Sequence, residues 1–111
     1  MSSHGRPELT EHEVQSVILD WLKAKHIFHF RLNTGSFAGE YKGKKRFVRF
    51  GRKGAPDILA VIKGQIIGIE VKGEKGFQSQ VQKEFEVEFT RAGGRYILAW
   101  DLNDVTRALE S

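Results

Sequence analysis

Apolar and polar positions follow two different periods along this chain. Val14, Val17, Ile18, Trp21 and Leu22 recur at three- and four-residue intervals, the spacing of one helix face. Thr10 precedes this run, with Glu13 three residues on, a capping-box pattern that predicts a helix over 11–25. Residues 27–32 alternate loosely and predict a strand, and Asn33-Thr34-Gly35-Ser36 is turn chemistry. Two apolar runs, 58–62 and 66–72, flank Lys63-Gly64-Gln65 and predict a β-hairpin. Ser79 reads as the N-cap of a second helix over 80–92, with Val81, Phe85, Phe89 and Ala92 as its apolar stripe and Gly93-Gly94 as its stop. A strand over 95–100 and a short closing helix over 102–109 complete the pattern. Helix, strand, insert, hairpin, helix, strand, helix is the order of a layered α/β domain with a mixed sheet.

Composition narrows this picture without changing it. The 111 residues suit one domain, read here as 10–111 after a lead-in over 1–9 that carries no periodicity. With no cysteine, disulfides and thiolate zinc sites are excluded. No apolar run approaches the roughly 18 residues of a membrane span, and no signal-peptide pattern precedes the first helix, so an intracellular, membrane-free protein is the expectation. His4, His12, His26 and His29 lack ligand spacing and read as structural or exposed.

Charge does change the picture, because it is segregated. The net charge is +4. Seven basic residues and no acidic one fall within 42–53: Lys42, Lys44, Lys45, Arg46, Arg49, Arg52 and Lys53. The rest of the chain is net negative. Phe47, Val48 and Phe50 interleave with these charges, so 46–50 reads as a short strand or ribbon. A solvated loop and a nucleic-acid contact both fit such a run; its place directly before Pro56-Asp57 favours the second.

Three charges interrupt the apolar hairpin: Asp57, Glu70 and Lys72. Charges in buried strands are unfavourable unless paired, hydrogen-bonded or bound to a metal. A two-residue loop at Lys63-Gly64 sets Asp57 opposite Glu70; one at Gly64-Gln65 sets it opposite Lys72. Either register puts all three on one face, whereas a three-residue loop would send Asp57 to the other. Two carboxylates with a neighbouring lysine suit a hard divalent cation that activates water and neutralises phosphate charge. The same spacing also suits an ion pair of Lys72 with Asp57 or Glu70, and spacing alone does not separate the two.

Pro56-Asp57, a short apolar spacer, then Glu70-Val71-Lys72 resembles the PD-(D/E)XK nuclease signature. More narrowly, the chain resembles the virus-type replication-repair nuclease (VRR-NUC) family. The resemblance runs through Glu13 on the first helix, Arg31-Leu32-Asn33-Thr34-Gly35, Gly54-Ala55-Pro56-Asp57-Ile58, Gly68-Ile69-Glu70-Val71-Lys72, Ser79 and Gln82. It covers roughly residues 10–100. It implies a restriction-endonuclease-like αβββαβ core, a mixed sheet flanked by helices. It also implies an endonuclease dependent on Mg²⁺ or Mn²⁺, with Asp57, Glu70, the Val71 carbonyl and Glu13 around the metal. Lys72 would position the attacking water and Gln82 would support it. Glu13 thus carries two readings, helix cap by spacing and site carboxylate by resemblance. Stand-alone relatives act as homodimers on branched DNA, like Holliday-junction resolvases, and the resemblance extends that expectation to this chain, in a bacterial or phage-infected cell. A non-catalytic nucleic-acid-binding module and a nuclease acting on RNA are the alternatives.

Overall fold

The structure is a computed structural model. It describes residues 9–32, 36–41, 44–49 and 52–110, with only the backbone of 36–41 and 44–49. Its elements are α1 (Glu11–Ala24), β1 (Phe28–Arg31), β2 (Ser36–Tyr41), β3 (Lys44–Arg49), β4 (Ile58–Ile62), β5 (Gln65–Val71), α2 (Gln80–Arg91), β6 (Arg95–Ala99) and α3 (Leu102–Glu110). No helix among the described residues is long and apolar enough to cross a membrane.

Four strands form one sheet in the order β1-β4-β5-β6, and β2 pairs with β3 in a separate hairpin. The β1–β4 and β4–β5 pairs are antiparallel; β5 and β6 run parallel, with α2 as the crossover between them. Two capping boxes start the long helices. Thr10 and Glu13 close the first turn of α1, and Ser79 and Gln82 that of α2. Lys63 and Gly64 both have positive φ, 50° and 82°, so the β4–β5 loop has two residues and pairs Ile62 with Gln65. Positive φ at both central positions is the geometry of a type I′ turn, whose twist matches that of the flanking strands.

This register sorts side chains by parity. Ile58, Ala60, Ile67, Ile69, Val71, Ile97 and Ala99 face α1 and α3, where they join Val14, Ile18, Leu22 and Val105 in the core. No member of that cluster is more than 5% exposed. On the opposite face lies α2, which buries no residue fully. A Cβ at Gly68 would sit 2.8 Å from Pro56 Cγ and 3.4 Å from the Phe89 ring, so α2 approaches the sheet closest over a strand position without a side chain.

Several local expectations shift. Val17 is 40% exposed at the edge of the α1 stripe, and Ala92 is the exposed C-cap of α2 rather than part of its apolar face. Ser36, read as turn, begins β2, a strand the hydropathy pattern does not predict because a glycine and a glutamate interrupt its apolar residues. The ribbon over 46–50 is β3, running from Lys44 to Arg49. The Asn33–Gly35 turn, Lys42, Phe50 and the lead-in up to residue 8 lie outside the described residues.

Candidate active site

Asp57, Glu70 and Lys72 come together where β4 begins and β5 ends, on the α2 face of the sheet. They are 6%, 2% and 8% exposed, the only charged residues among those described that are so buried. The last paired residues are Ile58 and Ile69, and the same register continued sets Asp57 opposite Glu70. Asp57 takes over there from the strand ladder: its Oδ2 accepts a hydrogen bond from the Val71 N–H at 2.8 Å. Lys72 is held from the other side, its N–H donating to the Ala99 carbonyl of β6 at 2.9 Å.

Gln82 joins the parts. Its Oε1 accepts from the Ser79 N–H at 2.9 Å, closing the α2 cap, and from Lys72 Nζ at 2.8 Å. Its Nε2 donates to Glu70 Oε2 at 2.9 Å, and Lys72 Nζ lies 3.3 Å from that same oxygen. Each end of the amide therefore has partners of the right polarity, which fixes its orientation. The cap sequence Ser79-Gln80-Val81-Gln82 is thus also what delivers a side chain to the charged cluster.

The other Glu70 oxygen, Oε1, is buried with no hydrogen-bond partner among the described residues. Such an atom loses water without replacement, a penalty of roughly 1–3 kcal/mol or more for a charged group. Burial first, and the charge of Asp57 second, push the Glu70 carboxyl up to about 7, against the opposing pull of Lys72. A divalent cation would relieve both penalties. One or two carboxylates completed by water are a common magnesium environment, so the donor set of Asp57, Glu70 and the Val71 carbonyl fits Mg²⁺ or Mn²⁺.

Glu13 does not join this group. Its Oε1 accepts from the Thr10 N–H at 2.9 Å, the carboxylate is exposed, and these hydrogen bonds hold its pKa below the usual value. The cap reading of its spacing describes the structure. No group of three or more acidic or histidine side chains is gathered for a metal among the described residues. The α1 carboxylate whose charge reaches Glu70 is Glu11, two residues earlier. Its backbone lies beside Gly73, where a Cβ would meet the Glu11 nitrogen at 3.2 Å. The signal was available in the sequence, since a glutamate at the third helical position of a capping box is already committed to the cap.

In the basic segment, the side chains of Lys44, Lys45, Arg46 and Arg49 and all of Lys42 lie outside the described residues; β3 pairs Lys44 with Tyr41 and Arg49 with Ser36 in the backbone ladder. Lys53 is exposed. Arg52 is not a free cation: its Nη2 lies 2.6 Å from Glu88 Oε1 and its guanidinium 5.5 Å from the Phe85 ring centroid, so it docks the end of the insert onto α2. Two residues later, Gly54 adopts φ 85° and a Cβ there would lie 2.6 Å from the Val81 carbonyl, so only glycine fits. Gly76 rests on the stem of Lys72, and the two aromatic residues tied to it, its neighbour Phe77 and its hydrogen-bond donor Trp100, carry no periodic signal in the sequence.

A mixed four-stranded sheet between helices, with an acidic pair and a lysine at the ends of its central strands, is a PD-(D/E)XK-like α/β fold. A solved structure described as a VRR_NUC domain protein superposes on it with a TM-score of 0.60, covering 94% of this chain and 88% of that one at 21% identity. The chain therefore shares the VRR_NUC fold. No protein-family model and no curated protein matches the sequence.

Proposed function

We propose that the protein is a metal-dependent endonuclease of the VRR-NUC type that hydrolyses DNA phosphodiester bonds. The observation that carries this reading is the buried, unpartnered Glu70 Oε1 beside Asp57 and Lys72. An ordinary structural ion pair would satisfy its own oxygens. The VRR_NUC likeness of the fold supports the same class.

Asp57, Glu70 and the Val71 carbonyl would hold Mg²⁺ or Mn²⁺. When bound, such an ion supplies an acidified water and a positive charge opposite the phosphate. Lys72, oriented by Gln82 and Glu70, would hold a water or a phosphate oxygen as charge develops. The basic insert of Lys42, Lys44, Lys45, Arg46, Arg49 and Lys53 would track the DNA backbone.

The reading extends to branched DNA and a homodimer. Two opposed strands of a four-way junction are related by two-fold symmetry, which a C₂ dimer matches. Phe28 and Phe30 are 65% and 45% exposed, Ile66 is 39% exposed, and pairing through β4 puts them on one face. This row is apolar surface that a second copy would bury.

The test is a cleavage panel of labelled single strands, duplexes, flaps, forks, four-way junctions and RNA, with Mg²⁺, with Mn²⁺ and with EDTA. Metal-dependent cutting of DNA is expected, most rapid on junctions. Absence of cutting on every substrate would remove the nuclease, and equal cutting of junction and duplex would remove the junction preference. Light scattering tests the dimer, which a mass near 12.6 kDa would exclude.

A further inference from the structure

Between β5 and α2 the chain runs Gly73-Glu74-Lys75-Gly76-Phe77-Gln78 before the Ser79 cap. Phe77 is 84% exposed, more than any other large apolar side chain described. Burying a phenylalanine stabilises a fold, and a ring left in water adds none of that.

The loop that carries it is nevertheless fixed. The Gly76 N–H donates to the Gly73 carbonyl at 2.9 Å, and Trp100 Nε1 donates to the Gly76 carbonyl at 3.1 Å. A Cβ at Gly76 would lie 3.3 Å from Cβ and Cδ of Lys72, so the loop rests on the aliphatic stem of the site lysine. Phe77 is the next residue. Trp100, 40% exposed, follows Ala99, whose carbonyl takes the Lys72 N–H. Two solvent-facing aromatics are thus tied through Gly76 to one wall of the charged cluster.

We propose that Phe77, on the loop that Trp100 ties down, is a stacking platform for an unpaired nucleobase next to the bond that the site cuts; this rests on the nuclease reading above. An aromatic ring stacks on any base, because every base has a π-face. Inside a duplex those faces are already covered by neighbouring pairs. The platform therefore selects nucleic acid with a base out of its stack near the scissile phosphate. The chemistry favours a base over a protein partner. Protein interfaces need a contiguous apolar area, whereas Phe77 is flanked by the exposed Lys75, by Gly76 and by Gln78. An exposed ring between polar and small chain neighbours suits one base.

The test is affinity, measured by fluorescence anisotropy without divalent ions, for an oligothymidylate, for the same length of sugar-phosphate lacking bases, and for a duplex. Phe77→Ala should weaken oligothymidylate binding about tenfold, leave the abasic strand and the duplex within about twofold, and be rescued by Phe77→Trp. In the rescued variant, tryptophan fluorescence should be quenched by oligothymidylate and not by the abasic strand. Equal losses on all three ligands, or no loss on any, would overturn the platform. A change in mass on light scattering of Phe77→Ala would assign the ring to a self-contact and overturn it too. Because no cleavage is read, a failed cleavage panel with an intact Phe77 effect removes only the nuclease, and the reverse removes only the platform.

Discussion

The two faces of one sheet are built from the same strands, β4 and β5, and differ in nearly everything else. Toward α1 and α3, alternate residues are isoleucine, valine and alanine, with no charge among them. Toward α2, Asp57 enters β4 and Glu70 and Lys72 close β5, and the helix above buries no residue fully. Period-2 alternation lets one strand serve both faces without compromise. One face stabilises the fold by removing apolar area from water. The other buries charge at a cost, as the Glu70 carboxyl records, raised by burial first and by the charge of Asp57 second.

This division can be broken from either side. Asp57→Asn should reduce cleavage by several powers of ten, since a neutral amide is a poor ligand for a hard cation, while the far-UV circular dichroism stays that of the parent. Near-parental turnover with Mg²⁺ in excess would contradict the assignment. Ile69→Ala is the mirror experiment, one residue from Glu70 and on the opposite face. It should lower unfolding stability by about 2–5 kcal/mol in urea, while cleavage per folded molecule changes little.

Glu70→Gln sharpens the comparison through pH. The carboxyl loses its proton near 4.5 in its ordinary state and near 7 in the folded protein. Between those values the folded state holds more protons than the unfolded state, so stability falls as pH rises and levels off above the folded value. Without divalent ions, the amide variant should exceed the parent by about 1–2 kcal/mol near pH 8, after allowance for screening, and lose that margin near pH 4. A variant less stable than the parent at both pH values would show that Glu70 supports the fold.

The smallest effect is expected from Gln82→Ala. It removes a cap bond, about 1 kcal/mol or less of stability, and frees Lys72 Nζ from one partner. Turnover should drop roughly tenfold with KM little changed, as for a group that orients another. A changed KM with unchanged turnover would place Gln82 in ground-state binding.

The fold was legible wherever one local rule decided it. Thr10 with Glu13 and Ser79 alone mark two helix starts, and a two-residue loop at Lys63-Gly64 or Gly64-Gln65 puts Asp57, Glu70 and Lys72 on one face; the structure has the first. What was not legible depended on geometry between elements. That the charge of Glu11 reaches Glu70 follows from α1 beginning beside Gly73, a contact across more than sixty positions of sequence. β2 was missed because Gly39 and Glu40 break its pattern and only pairing with β3 makes it a strand. Phe77 has no period to betray it; its exposure follows from a loop tied down by Trp100.

The most direct test of the charged face is calorimetric titration of Mn²⁺ into the protein without DNA, beside Glu70→Gln. The account predicts saturable binding by the parent and its loss in the variant. Binding that is identical in the two proteins, or absent from both, would contradict it.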